Sequence, residues 1–244
     1  MTVIISEVLK RSEQGVTRPF ICRGDDELIY FVKGIGAGRR SQICEWIAAN
    51  LGHALEIPIP PFAIVEVPPD LIEIGGRPDL GQLGAGPAFG SARHPLIELS
   101  PSAVVQVPHA VQWSVLAFDW WLRNGDRTLT ATGGNPNLFW DPAARNLLVF
   151  DHNQAFDTYF DPVDFRKLHA FSARIPELFD DIVRRDDFAK RLELALGRWK
   201  EIVDTIPPAW YFADPEMTIP ADFDFTAAFN TLARCSEKDF WMIP

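Results

Sequence analysis

The sequence predicts a mixed α+β protein built in two parts, a small antiparallel sheet ahead of a mainly helical half. Short runs of β-branched and aromatic residues separated by polar turns occupy the first third of the chain. A stretch rich in Gly and Pro follows at 75–90. Beyond it, apolar residues recur at spacings of three and four, the period of one helix face. With 47% hydrophobic and 12% aromatic residues in a length of 244, the chain can fill a substantial core, in one large domain or in two lobes.

Residues 2–9 and 19–23 read as strands around a turn at Ser12, Glu13, Gln14 and Gly15, and 28–33 reads as a third strand after the turn Gly24-Asp25-Asp26-Glu27. The turn holding Gly15, Val16, Thr17 and Arg18 sits where a phosphate-covering loop would lie, because glycine lets backbone N–H groups approach an anion closely. A plain hairpin turn accounts for the same residues. Lys33 ends the third strand, and period-two alternation puts it on the face of Ile29 and Phe31, an ammonium beside an apolar surface. Gly34, Gly36 and Gly38 lead to Arg39 and Arg40 and then to a helix at 41–55 with Glu45 in its first turns. Glu45 is the candidate partner of Lys33; its other reading is a surface acid near a helix N-terminus. Pro58, Pro60 and Pro61 exclude helix and hand over to a strand at 62–67. The stretch 75–90 reads as an irregular connection and 95–99 as a further strand, with the boundary between the two parts at 95–108.

Val111, Val115, Phe118 and Leu122 define a helix that ends near Asn124-Gly125 and delivers Asp126 onto a loop. Residues 137–140 and 147–150 are short apolar runs around Asp141-Pro142-Ala143-Ala144, which suits the turn of a hairpin and places Asp151 just past a buried strand. Each of these polar residues is by itself an ordinary turn former. In order, an acid on a loop, an Asn entering one strand and an acid leaving the next are what protein kinases use for a catalytic base and two oxygen ligands of magnesium. Further on, 162–173 suits a short helix in which His169 packs or caps. Residues 182–206 carry the stripe Leu192, Leu196, Trp199, Val203 and Ile206 of one helix. The tail 211–244, with Phe223, Phe225, Phe229, Trp241 and Met242, is too aromatic for a solvated linker and is expected to pack on the domain or on a protein partner.

The motif Asn124-Gly125-Asp126-Arg127-Thr128, followed by Asn135-Pro136-Asn137-Leu138 and Phe150-Asp151-His152-Asn153, resembles the catalytic core of the HipA-like kinases, a branch of the protein-kinase and phosphatidylinositol-kinase fold. Tyr30-Phe31-Val32-Lys33, the glycines after it, Arg40, Glu45 and Leu55-Glu56-Ile57-Pro58-Ile59-Pro60 resemble the amino-terminal lobe of that family, and Ile206-Pro207-Pro208-Ala209-Trp210 its end, so the resemblance spans residues 2–210. It implies a bilobal protein-kinase-like fold with Asp126 as catalytic base, Asp151 as the main magnesium ligand and Asn137 or Asn135 as a second one. It also implies that Lys33 holds the α- and β-phosphates of ATP, with Glu45 beside it; Gly15, Thr17 and Arg18 of the first turn are the further candidates for covering the phosphates. The sequence departs from the pattern where residues 129–134 intervene between the Asp-Arg-Thr and the Asn, which leaves open which Asn reaches the metal.

The function expected is therefore ATP- and Mg2+-dependent phosphoryl transfer to a hydroxyl, by family resemblance a protein serine or threonine. A non-catalytic nucleotide-binding or partner-binding module on the same fold is the alternative. A metal-dependent hydrolase built on Asp151, His152 and Asp126 is disfavoured, since His53, His94, His109, His152 and His169 show no zinc-ligand spacing. The formal charge of −10 offers no basic footprint for nucleic acid or an anionic membrane surface, so an ATP site has to be locally positive. Cys22, Cys44 and Cys235 are scattered and form no CxxC, which fits a reducing cytoplasm rather than a disulfide framework. The first residues carry Glu7 in their apolar run and show no cleavage pattern. Pro101 and Pro108 break the uncharged stretch 99–118, so no membrane span is expected.

Overall fold

A computed structural model describes residues 2–12, 18–93, 96–141 and 144–244. The chain divides into two compact units, one made of Met1–Trp46, Pro60–His94 and Thr205–Phe223, the other of Ile47–Ile59, Pro95–Asp204 and Asp224–Pro244.

In the first unit, β1 (Val3–Arg11), β2 (Phe20–Gly24), β3 (Ile29–Lys33), β4 (Phe62–Val67) and β5 (Gly86–Ala92) close into a small barrel of order β1-β2-β3-β5-β4. Alternation decides what fills it: Phe20 and Cys22 of β2, Tyr30 and Val32 of β3, and Val65 and Val67 of β4 point into one apolar core with Ile5. The start of α1 (Arg39–Ala54), the short α2 (Pro69–Ile74) and a 3-10 turn at Pro78–Gln82 also belong here. Trp210 is fully buried, donates its indole N–H to the Pro87 carbonyl at 2.8 Å and lies edge-on to Trp46.

Two expectations are corrected in this unit. The sheet is not wholly antiparallel, because β1 pairs with β4 in parallel register, Val3 opposite Val65. The stretch 75–90 is not merely a connection, because it runs into β5, which lies between β3 and β4 and is hydrogen-bonded to both. Its glycines report close approach: a Cβ on Gly90 would lie 2.6 Å from Val65 Cγ1.

In the second unit, α3 (His109–Leu122) is buried from Val115 to Leu122 and stops at Arg123, whose left-handed φ of 51° turns the chain while the Asn124 N–H closes onto the Asp119 carbonyl at 2.9 Å. A three-stranded sheet of β6 (Ile97–Glu98), β7 (Leu138–Asp141) and β8 (Asn146–Val149) lies in the same unit, so the strand expected at 95–99 is shortened to two described residues paired with β7. The helices α4 (Pro162–Leu168), α5 (Ile175–Phe179), α6 (Ile182–Leu196), α7 (Trp199–Asp204) and α8 (Phe225–Ala233) complete it. The single helix expected at 182–206 is thus two, interrupted at Gly197 and Arg198. The aromatic tail packs within the chain: Trp120 and Trp121 donate their indole N–H groups to the carbonyls of Phe240 and Leu232, each at 2.8 Å, and Phe240 and Trp241 are buried. Among the described residues, no helix is long and apolar enough to cross a membrane.

Candidate active site

Lys33 is the last residue of β3, opposite Phe89 of β5, and only 8% exposed. An ammonium so deep needs a counter-charge, and Glu45 on α1, 3% exposed, forms a direct ion pair with it. The backbone around the pair is also fixed: Gln42 donates to the Lys33 carbonyl at 2.6 Å and accepts from Arg39 at 2.8 Å. Gly34 follows because nothing larger fits, since a Cβ there would lie 2.0 Å from the Leu83 carbonyl oxygen. Lys33 lines a small depression together with Arg11, Arg18 and Gln82. The Arg11 guanidinium holds its place there by donating to the Arg18 carbonyl at 3.0 Å and to Gln82 Oε1 at 2.6 Å. Three basic residues therefore line one depression in a chain of net charge −10, the Lys33 charge being matched by Glu45. Gly15 and Thr17 lie outside the described residues.

Asp126 follows the closed end of α3, and its Oδ2 accepts from Asn135 Nδ2 at 2.9 Å and Asn137 Nδ2 at 3.2 Å. Both carboxamides thus spend their nitrogens on the acid and turn their oxygens elsewhere. Asn135 is exposed and Asn137 half-buried. Burial pushes the Asp126 carboxyl above its ordinary range, helped by the charge of Asp151 and only partly countered by the two amide bonds. The residues that lengthen this loop do not separate acid and amides. Thr130 and Gly133 bond each other in both directions, at 2.9 and 3.1 Å, and Thr128 N–H then returns to the Asn135 carbonyl at 3.1 Å, so the extra residues close on themselves. Asn137 and Asp151 flank the hairpin of β7 and β8 with left-handed φ values of 48° and 54°, and the Phe150 N–H donates to the Asn137 carbonyl at 2.9 Å.

A buried ionic cluster lies beneath these residues. Asp119, the one acid in the otherwise uncharged α3, is 0% exposed and accepts from Arg127 Nε at 2.6 Å, Arg127 Nη2 at 3.2 Å and Asn124 Nδ2 at 2.7 Å. His169 Nε2 donates to the same carboxylate at 3.1 Å while its Nδ1 accepts from the Phe171 N–H at 3.1 Å, which fixes a neutral tautomer. Burial alone would raise the Asp119 pKa, but the Arg127 charge and the bonds from His169 and Arg127 reverse this and hold it well below the carboxylate range. Burial also lowers the pKa of His169. Sequence reasoning assigned no role to Asp119 or Arg127. The legible signal was a lone acid inside an apolar helix, because an acid without water has to find a cation, and Arg127 is in the loop that follows.

Among the described residues, no three His, Cys, Asp or Glu side chains gather into a group able to hold a metal ion. His152, proposed as a ligand in the hydrolase reading, turns its Nε2 to Arg127 Nη2 at 3.2 Å, a position that a guanidinium and a metal ion do not share. The oxygen donors near Asp126 are a carboxylate and carboxamides, a hard set of the kind magnesium takes.

Comparison with protein-family models supplies the class, a kinase-type phosphotransferase. The matching model is the one described as HipA-like kinase; it covers residues 5–244, nearly the whole chain and its aromatic tail included, and the chain belongs to that family. Comparison with curated proteins returns no match.

Proposed function

We propose that this HipA-like kinase transfers the γ-phosphate of ATP, with Mg2+, to a serine or threonine hydroxyl of a protein, on a bilobal kinase-like fold whose phosphate-binding part is the barrel unit. The observation that carries the reading is the Asp126 carboxylate under two carboxamide N–H groups, with Asp151 near enough to act on its charge. Asp126 is the base: it accepts the acceptor's proton, and its raised pKa makes it better suited to that task than an ordinary solvated aspartate. Asp151 and Asn137 would hold the magnesium. Asn137 is preferred over Asn135 because it is half-buried where Asn135 is exposed, and because the Phe150 N–H bond to its carbonyl ties its backbone to the residue before Asp151. Bound there, the metal would neutralise phosphate charge in a loose transition state, which is most of what such chemistry asks of a protein. Lys33, aligned by Glu45, binds the α- and β-phosphates, with Arg11 and Arg18 adding positive field from the same depression. The acceptor hydroxyl approaches Asp126 from an open cavity of about 270 Å3 lined by Gly125, Gln154, Tyr159 and Phe160. A protein with this chemistry works in the cytoplasm, where ATP and reduced thiols coexist.

Incubation with γ-labelled ATP and Mg2+, alone and with a cell extract, tests the proposal. Label is expected on a protein serine or threonine, with loss of transfer on the order of a hundredfold or more in Asp126→Asn. Failure of label to leave ATP for any acceptor, in an extract of the native host, would contradict it and favour a binding module on the same fold.

A further inference from the structure

The position of Arg127 in its ionic cluster has a consequence for the metal ligands. Beyond its bonds to Asp119, its Nη1 donates to three main-chain carbonyls, those of Pro136 at 3.2 Å, Asn137 at 3.0 Å and Phe150 at 3.1 Å. Its Nη2 faces His152 Nε2 at 3.2 Å. A guanidinium has no acceptor, so it donates there and this His152 nitrogen carries no proton. The carbonyls and the histidine belong to the two chain segments that carry Asn137 and Asp151: Asn137 itself, the residue before it, and the residues on either side of Asp151. A third segment holds the arginine, and Asp126 is its immediate neighbour. One side chain, 1% exposed, therefore ties together the base loop, the strand bearing the carboxamide and the turn bearing the acid. Both ligand residues sit at left-handed φ, a backbone state that costs non-glycine residues energy and persists only where surroundings enforce it.

We infer that Arg127 is the positioning residue for the magnesium ligands, with Asp119 and His169 orienting its guanidinium. The inference rests on the assignment of Asn137 and Asp151 to the metal. It explains why an ordinary surface cation would not do. A lysine has a single nitrogen with three donors, too few and too close together to serve Asp119, three carbonyls and His152 at once. It keeps the charge beside Asp119, however, so Arg127→Lys removes the fork while sparing the core an unpaired acid.

The test reads metal dependence instead of turnover. The thermal shift given by saturating ATP is followed as Mg2+ is raised from EDTA conditions, in the wild type and in Arg127→Lys. The variant is expected to need at least about tenfold more Mg2+ for half its shift, while the shift with ATP in EDTA stays within about twofold, because phosphate contacts from Lys33 do not involve the clamp. General loosening of the fold would lower both shifts together, and that outcome, or an unchanged Mg2+ requirement, overturns the positioning role. Should Arg127→Lys fail to fold, His152→Phe carries the test: with no acceptor left at position 152 for Nη2, it should raise the Mg2+ requirement in the same direction by about two- to fivefold, and no rise overturns the inference. A wild type that shows no Mg2+-dependent shift at all removes the kinase reading of the site, a failure distinct from a wild-type shift that the variants leave untouched.

Discussion

Asp126 and Asp151 are short acids in one stretch of chain for which we propose different work. Asp126 is partly buried, bonded by two carboxamides and raised in pKa, first by burial and then by the neighbouring charge of Asp151. A base has to be ionised to act, so the acid limb of kcat/KM for phosphate transfer is expected above about pH 4, the ordinary aspartate value, and activity should fall as pH drops through that raised pKa. Asp126→Asn should abolish the limb along with most of the activity, and a limb at the ordinary value would contradict the environment described for Asp126. Arg127 and Asp119 show how far residue-level reading reaches. The motif letters of Asp126, Asn137 and Asp151 could be read from their order between a helix and two short apolar runs, since each alone is an ordinary turn former. The bonds of Arg127 could not be read, because three of its partners are main-chain carbonyls, and carbonyls carry no sequence.

At the scale of elements, the strands that alternate and the helices with a clean stripe were legible, and β4 was placed at its observed bounds, Phe62–Val67. The misreading of β5 has a physical cause. Gly86, Pro87 and Gly90 have poor strand propensity, and they form a strand because β3 and β4 offer pairing on both sides and because only glycine leaves room for Val65. The parallel pairing of β1 with β4 was invisible for a related reason, since pairing across most of a domain leaves no local pattern. The helix expected at 182–206 kept its stripe but not its continuity, because a spacing count is blind to a glycine that ends a helix at Gly197. The junction between β3 and α1 is the element on which Lys33 depends, and it can be tested through its glycine. Gly34→Ala puts a Cβ 2.0 Å from a main-chain oxygen that cannot swing away, so a loss of about 1–3 kcal/mol or more is expected in urea unfolding. Gly81→Ala, where a Cβ meets open space, should be nearly neutral, and equal losses in the two would contradict the packing described.

For the molecule as a whole, each unit is assembled from separate stretches of sequence, the barrel unit taking back Thr205–Phe223 after the chain has built most of the other. The family match runs from residue 5 to residue 244 and so takes in the aromatic tail, which was expected to pack on the domain or on a protein partner. The barrel unit supplies a buried Lys33–Glu45 pair and a depression lined by Arg11 and Arg18; the other supplies an acid, two carboxamides that bond it, and a second acid that follows a carbonyl bonded by a buried arginine. The central claim is that these are a phosphate site, a base and a metal site, and titration calorimetry of ATP with Mg2+ on the wild type, Asp126→Asn and Asp151→Asn tests it most directly. The account predicts that Asp126→Asn binds within about twofold of the wild type, since a base contacts the acceptor and not the nucleotide. It predicts that Asp151→Asn weakens binding by about tenfold or more in Mg2+ and hardly at all in EDTA, because a carboxamide lacks the charge that holds the cation against its own hydration. Loss of binding in Asp126→Asn beside normal Mg2+-dependent binding in Asp151→Asn would contradict it.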